Sequence, residues 1–501
     1  SGRRLSRRVA AMAGLAAGAL AIGVAELLAA LVGPSSEPLV AVGDAFVDRT
    51  PLWLKNAAVA AFGTHDKQVL LGGAALVLAA LTALAGVLAT RGLGVYLVLA
   101  MGAFAGFCAA TRPDATIVAA LPSVVAAILG AIVLSALVAR LGTAPDPGRR
   151  ALVRTAGAVA AVGLVAFALG RLLGQRIAGA DASRAAVRLP APADPEPPLP
   201  AGVDVGVPGV TPFRVPAADF YRVDTALVVP RVRTEDWRLR IHGLVDREVT
   251  IDYATLLASP LVERDVTLCC VSNEVGGDLV GNATWLGLPI GPLLRRAGPH
   301  PDADMVLSTS TDGFTCSTPL AVLTDGRDAL LAVGMNGAPL PIEHGFPVRM
   351  VVPGLYGYVS ATKWVVDLEV TRFDRAVAYW TPRGWAPRAP VKTQSRIDVP
   401  RDGASVRAGT VPIAGVAWAQ HRGIEAVEVR IDGGPWQRAG LAAEASIDTW
   451  RQWVYRWQAP PGRHILEVRA TDGTGAVQTG VQSSPAPDGA TGWHQVTVDV
   501  G

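Results

Sequence analysis

Two adjacent cysteines open a polar, glycine-rich turn in VTLCCVSNEVGG, Val266 to Gly277, in a chain that has four cysteines among 501 residues. A thiolate is a soft metal ligand, whereas free cysteine usually packs as a small hydrophobe. Both readings of Cys269 and Cys270 stand on the residues alone. On an extended segment Val266, Leu268 and Cys270 share one face, and Thr267, Cys269 and Val271 share the other. Only one of the two thiols can then point at a given site. Cys108 lies in an apolar run, where packing accounts for it. The four cysteines have neither metal-type spacing nor the density of a disulfide framework, and a Cys269–Cys316 pairing would require an oxidising compartment.

The elements that must position such a site fall into blocks. Half of the residues are hydrophobic and 17% are charged, with a net charge of +3. Scattered basic residues argue against a nucleic-acid partner, and the apolar excess places part of the chain in lipid. Stretches near the ~20 residues needed to span a bilayer lie at 9–32, 69–89, 92–110, 116–139 and 155–173. Residues 1–176 are therefore expected to form an all-α transmembrane bundle of about five helices. Arg3, Arg4, Arg7 and Arg8, then Arg91, then Arg140, Arg149, Arg150 and Arg154 mark the cytoplasmic ends. Five spans that start inside finish outside, so a multi-pass membrane protein with an extracytoplasmic C-terminal part is predicted. PLWLKNAAVAAFG, Pro51 to Gly63, is too short to span and fits an interfacial segment with Trp53 among the headgroups. His65 is the sole histidine before residue 177, which argues against a haem between helices, and Asp114 reads as a solvated loop end. GRRALVR, Gly148 to Arg154, has the pattern of a twin-arginine export signal, although positive-inside topology alone also predicts paired arginines there. Ala178-Gly179-Ala180 offers a cleavage site, against which stands an uncleaved anchor.

Residues 177–210 turn to RLPAPADPEPPLPAG, a proline-rich run expected to form an extended, semi-rigid linker. Over 211–391, strand patterns at Asp236 to Val245, 305–320 and 365–373 alternate with helical candidates in YATLLAS and PIGPLLRRAG, an α+β arrangement. Residues 392–501 read as short strands and turns of an all-β, immunoglobulin-like sandwich.

Three segments share one resemblance: TLCCVSNEVGGDLVGNATWLGLPIGPLLRRAG, Thr267 to Gly298; LLAVGMNGAPLPIEHGFPVRMVVPGLYGYVSATKW, Leu330 to Trp364; and the β unit with GIEAVEVRIDGGPWQRA, DTWRQWVYRW and GRHILEVRATDGTG. Together they resemble the sulfite oxidase family of molybdopterin enzymes and its dimerisation domain, over residues 210–501. The resemblance implies a molybdenum-molybdopterin cofactor with a single pterin, whose metal is bound by one cysteine thiolate, here Cys270. It implies pterin contacts from His344 and Arg349 of HGFPVR, from Ser360, Thr362 and Lys363 of YGYVSATKW, and from Tyr221 and Arg222 of DFYRVD. Ser310 or Thr311 would add a hydroxyl. The family also implies homodimerisation through the C-terminal domain.

Departures bear on substrate. Sulfite oxidases carry a catalytic tyrosine at the position that matches Pro382 in AYWTPRGWAP, which leaves Tyr379 as the substitute. The anion-binding arginines are not clearly reproduced, and Arg222, Arg383 and Arg388 are the candidates. No C-x-x-C-H haem motif or cytochrome b5 unit is present, so electrons are expected to pass to a separate cytochrome or the quinone pool. The expected function is oxygen-atom transfer to or from a small substrate, sulfite being the simplest. The alternatives are a sulfoxide or other oxo-compound reductase of the same family, and a non-catalytic surface-binding protein on an enzyme-like scaffold.

Overall fold

A computed structural model describes residues 7–33, 36–51, 54, 66–112, 115–143 and 146–501. The chain divides into two compact units, one of residues 1–180 with Ala226–Arg231, the other of Asp181–Thr225 with Val232–Gly501. The expectations for Arg3, Arg4, Trp53, His65 and Asp114 lie outside the described residues, as do the side chains of Arg149 and Arg150.

The helical unit comprises α1 (Arg7–Val32), α2 (Pro38–Arg49), α3 (Asp66–Ala89), α4 (Gly94–Ala110), α5 (Leu121–Thr143) and α6 (Asp146–Ala178). Small residues let α1 approach its neighbours closely, as membrane helices do where dispersion must replace the hydrophobic effect. A Cβ on Gly14 would meet the Thr82 carbonyl of α3 at 2.0 Å, and one on Gly23 would meet the Gly163 carbonyl of α6 at the same distance. Four helices are long and apolar enough to cross a membrane, over Arg7–Val32, Val69–Ala89, Ile117–Arg140 and Arg154–Gly174. Of the five apolar stretches expected to span, four reach that length and the remaining one forms a shorter apolar helix. The third apolar stretch folds as the 17-residue α4, about 26 Å long at 1.5 Å per residue, because the turn after α3 and the break at Thr111 trim it. Two features escaped the sequence reading. Helix α2 carries Asp44, which pairs with Arg112. Glu26 of α1, only 4% exposed, meets Arg171 of α6 at 3.3 Å, the pairing that a charge inside a bundle requires.

The proline-rich run is not a free spacer. Helix α7 (Ala180–Ala186) hydrogen-bonds through Ser183 to Thr234, and Arg184 donates to the Leu340 and Pro339 carbonyls at 2.7 and 2.8 Å. Residues 193–196 then lie along β3 (Val262–Cys269). Asp194 bridges Val262 in parallel register, the Ala193 amide donates to the Leu261 carbonyl and the Glu263 amide donates to the Asp194 carbonyl. Alternating prolines hold this segment extended while leaving those groups free to pair, so it behaves as an added strand. The linker expectation is corrected to a docked strap.

In the α+β region, one sheet has the order β2-β1-β10-β5-β6 and the other β3-β4-β7-β8, with β9 on β7. Strands β1 (Arg238–Gly243), β5 (Met305–Ser310), β6 (Thr315–Pro319) and β10 (Val365–Thr371) occupy the segments whose alternation predicted them. The remaining strands are β2 (Val249–Asp252), β4 (Val280–Pro289), β7 (Leu330–Met335), β8 (Ala338–Pro339) and β9 (Arg349–Val351). The C-terminal region contains β11 (Gln394–Val399), β12 (Ala404–Val406), β13 (Gly409–Trp418), β14 (Ile424–Ile431), β15 (Gln437–Arg438), β16 (Gly440–Leu441), β17 (Arg451–Ala459), β18 (Gly462–Asp472) and β19 (His494–Val500). They form two sheets with the strand orders β11-β13-β17-β16 and β12-β19-β18-β14-β15, and one core shared by both contains Ile413, Trp453, Val427, Leu466 and Val498.

Strand β3 is an edge strand, and three successive outward amides of it are covered. Those of Glu263, Asp265 and Thr267 donate in turn to the Asp194 carbonyl, the Glu196 carboxylate and the Asp448 carbonyl. The Glu196 carboxyl is pushed up to about 7, chiefly by burial. Between its ordinary 4.5 and about 7 the folded state holds the extra proton, so stability falls as pH rises through that window. Glu196→Gln keeps an acceptor for the Asp265 amide without the charge. It should match wild type near pH 4.5 and exceed it above pH 7 by on the order of 1 kcal/mol, after discounting for solvent screening. Paired denaturant titrations at the two pH values check this.

Candidate active site

A cavity of about 120 Å³ opens beside the end of β3, lined among others by Tyr221, Cys270, Ser310, His344, Arg349 and Lys363. Cys270 is the first residue past the strand. Its amide donates to the Leu279 carbonyl at 2.9 Å and its carbonyl accepts from the Asn273 amide at 3.1 Å. Asn273 closes the same turn by accepting from the Leu279 amide. Gly276 permits the return, with φ +78 and a Cβ position 2.1 Å from the His494 ring. The thiol of Cys270 is 8% exposed and burial raises its pKa. Binding a metal cation there would release its proton.

Cys269 faces away from this role. It is 2% exposed and burial pushes its thiol well up, the environment of an inert packing cysteine. Cys316 is wholly buried beside the Gly357 carbonyl. All four cysteines are free, so Cys269 and Cys316 are unbridged.

The cations converge from three loops. His344 ends a single turn, Ile342–His344, after β8, and its Nε2 hydrogen-bonds the Ala217 carbonyl at 2.9 Å. Burial first, then the Arg349 charge, pushes the imidazole down to about 4, so it is neutral at pH 7. Arg349 opens β9, donates to the His344 carbonyl at 3.2 Å and lies over the Trp285 ring at 5.0 Å. Burial lowers it to about 10, which leaves it charged. Lys363 donates to Asp224 Oδ2 at 2.8 Å and to the Glu343 carbonyl at 3.1 Å, 4.8 Å above the Trp364 ring. Burial lowers it to about 8, against the opposing pull of Asp224.

Other expected contacts are arranged differently. The Ser360 hydroxyl donates to the Tyr356 carbonyl at 2.9 Å, and the Thr362 hydroxyl pairs with Ser308 at 2.7 Å, so both side chains brace the loop behind the cavity. Arg222 is 44% exposed and turned onto Asp224. Arg383 stacks over Tyr379 at 3.7 Å, and Arg388 lies over Phe373 at 4.0 Å. None of Arg222, Tyr379, Arg383 or Arg388 is part of the lining, although Tyr379 adjoins Trp380, which is. Asp224, Asp312, Phe314, Tyr358, Trp364 and Trp380 also line the cavity and are among the site residues the sequence reading missed. Asp224 is held by both Lys363 and Arg222.

Residues 226–380 match the family described as oxidoreductase molybdopterin binding domain. The mitochondrial sulfite oxidase of Mus musculus is 31% identical over 334 residues, 55% of this chain and 59% of that protein. The uncharacterized oxidoreductase YuiH of Bacillus subtilis (strain 168) is 32% identical over 152 residues, 30% of this chain and 73% of that one. Among solved structures, the sulfane dehydrogenase SoxCD from Paracoccus pantotrophus aligns over 53% of this chain and 75% of that chain, with 26% identity and a TM-score of 0.48. The class so defined is a molybdopterin-binding oxidoreductase. More narrowly, the chain belongs to the sulfite oxidase family of these enzymes, while spanning 59% of the length of the mouse relative.

The residues fit the cofactor that class implies. Among the described residues no three His, Cys, Asp or Glu side chains converge on a point, so Cys270 would be the protein's one ligand and the pterin would supply the other sulfurs. The Ser310 hydroxyl, which lines the cavity, is buried without a hydrogen-bond partner, an energetic cost that a polar ligand in the cavity would relieve. His344, Arg349 and Lys363 would bind the anionic pterin.

The neutral imidazole has a stability consequence. Between about 4 and its ordinary 6.5, the unfolded histidine binds more protons than the buried one, so stability falls as pH drops through that window. Denaturant unfolding of cofactor-free protein should show a loss of about 3 kcal/mol from this group. His344→Gln should flatten that pH dependence.

Proposed function

We propose that this chain is a membrane-anchored molybdenum-cofactor oxidoreductase with one pterin, transferring an oxygen atom between water and a small substrate on the extracytoplasmic side. The observation that carries the reading is the single thiol of Cys270 in a cavity with Arg349 and Lys363. The bound cofactor would supply the two-electron redox chemistry. The protein's part is to present the Cys270 sulfur, to hold the pterin through His344, Arg349 and Lys363, and to keep bulk water out with Trp364 and its neighbouring rings. Electrons leave to or arrive from a separate carrier, a cytochrome or the quinone pool. The non-catalytic reading would be favoured by a cavity closed over by side chains, and about 120 Å³ stays clear of side chains beside Cys270.

Molybdenum content and turnover with an artificial electron carrier test the site. Cys270→Ser should lose turnover altogether and Cys269→Ser should keep most of it. Wild type that takes up no molybdenum in a cofactor-producing host would end the proposal.

Orientation follows from counting α4 as a span. It packs against α5, where a Cβ on Gly102 would meet the Ala127 side chain at 2.1 Å, and a tilted neighbour or locally thinned bilayer accommodates 17 residues. Five crossings with arginine inside put the catalytic unit outside. Export by the twin-arginine route adds a condition: with Arg149 and Arg150 both replaced by lysine, the catalytic unit should become inaccessible to protease added to intact cells. Unchanged cleavage would exclude that route.

A further inference from the structure

The turn that carries Cys270 leaves β3 at one end and returns to β4 at the other, and the C-terminal sandwich holds it at both. Before the turn, three atoms of Thr267 are held from the sandwich. Its amide donates to the Asp448 carbonyl at 3.0 Å, its carbonyl accepts from the Gln420 side chain at 2.9 Å, and its hydroxyl accepts from the Trp450 amide at 2.7 Å. Gln420 follows β13, and Asp448 and Trp450 stand in the loop before β17. Thr267, Gln420 and Trp450 are all buried, where hydrogen bonds are stronger than in water.

After the turn, Arg396 of β11 donates to the Gly277 carbonyl at 2.8 Å. The same guanidinium meets Asp398 at 2.7 Å and the Thr211 hydroxyl at 2.8 Å, so all three of its nitrogens are engaged and its planar fork has one orientation. Burying an ion pair adds little net stability, whereas a fixed fork sets the place of the Gly277 carbonyl. Beside it, the His494 ring occupies the space where a Cβ on Gly276 would come within 2.1 Å of it. That ring is held in turn by the Ile397 amide of β11, which donates to Nδ1 at 3.0 Å.

The contacts before the turn also reach the opposite wall of the cavity. The Thr267 hydroxyl donates to Asn282 Oδ1 at 2.9 Å, and Asn282 Nδ2 and Trp450 Nε1 both donate to the Phe213 carbonyl, at 3.0 and 2.9 Å. Phe213 begins the segment that leads to Ala217, whose carbonyl is the partner of His344.

We infer that the sandwich is part of the metal site: Arg396, Gln420 and Trp450 are positioning residues that grip the Cys270 turn from both sides and so fix where its sulfur meets the metal. The inference rests on the molybdenum-cofactor reading above. Every contact that carries it lies within one chain, so it is independent of dimerisation.

The test begins with molybdenum and pterin analysis of the purified, full-length protein. Wild type without cofactor overturns the reading of the site and this inference with it. With cofactor present, two readouts need no substrate: the molybdenum(V) paramagnetic resonance signal generated by dithionite, and the rate at which molybdenum is lost on dialysis. Thr267→Val keeps the shape and removes the hydroxyl. Arg396→Lys keeps a charge for Asp398 but cannot also span Gly277 and Thr211. Both should shift the signal and speed molybdenum loss roughly ten- to a hundredfold, the range for losing a group that orients a metal ligand. Thr267→Ser should restore both readouts, and Trp450→Phe, which loses the bond to Phe213, should fall between. Val468→Ala, in the sandwich core, should lower Tm and leave both readouts at wild type. Folded Thr267→Val and Arg396→Lys proteins with the wild-type signal and retention overturn the inference and leave the cofactor assignment intact. Equal losses from Val468→Ala also overturn it, because the effect would then follow stability alone. If Thr267→Val does not fold, Arg396→Lys and Trp450→Phe decide by the same readouts.

Discussion

The catalytic unit depends on how β3 is fastened, because Cys270 follows that strand directly. An edge strand normally exposes a row of unpaired amides and carbonyls. Here the inner edge pairs with β4 from Val262 to Cys269, and the outer edge is closed by the strap and the sandwich in succession. Thr267 is held at every polar atom: its amide by the Asp448 carbonyl, its carbonyl by Gln420, and its hydroxyl between the Trp450 amide and Asn282. Asn282 reaches on to the Phe213 carbonyl. The sandwich thus has a positional role besides any part in dimerisation, since its loops fix the strand three residues before the proposed ligand. A thiolate that must meet a metal with sub-ångström accuracy needs a backbone with no local freedom.

Much of this architecture was legible from the sequence. Alternation found β1, β5, β6 and β10, and the HGFPVR and YGYVSATKW runs led to His344, Arg349 and Lys363. The misses have physical causes. Proline content announces an extended chain, but not that Ala193 and Asp194 will pair with β3, because pairing depends on an edge far away in sequence. A single Glu26 barely lowers the mean hydropathy of a 26-residue apolar helix, so its partnership with Arg171 is invisible until α1 and α6 are seen together. Asp224 meets Lys363 across 139 residues of chain. Which way Ser360 and Thr362 point is decided by carbonyls and hydroxyls of neighbouring strands, which spacing alone does not reveal.

The helical unit and the catalytic unit show the same rule under different solvents. In lipid, where apolar contacts bring no hydrophobic gain, glycine and alanine bring backbones together and the buried charge of Glu26 is answered by Arg171. In the catalytic unit the core is built from Trp237, Trp285, Trp364 and aliphatic strands, and most polar groups that enter it are answered. Buried polar atoms without a hydrogen-bond partner include the Tyr253 and Thr311 hydroxyls and the ring nitrogens of Trp385, Trp418 and Trp453. Among the described residues, the Ser310 hydroxyl is the one such group that lines the cavity beside Cys270.

The same reasoning applies to the cations. His344, Arg349 and Lys363 all have their basicity lowered, in each case chiefly by burial. A fold gains nothing by burying three basic side chains so near one another, and in the absence of an anion their mutual repulsion and lost hydration oppose folding. Asp224 answers one of them and the histidine escapes by staying neutral, which leaves Arg349 as an uncompensated charge beside the Trp285 ring. An anionic group bound there would convert that cost into affinity, because the desolvation has already been met when the protein folds. The same ligand would then stabilise the folded state in proportion to its binding. The charge of Arg349, which no carboxylate answers, thus fits a permanently bound anionic cofactor.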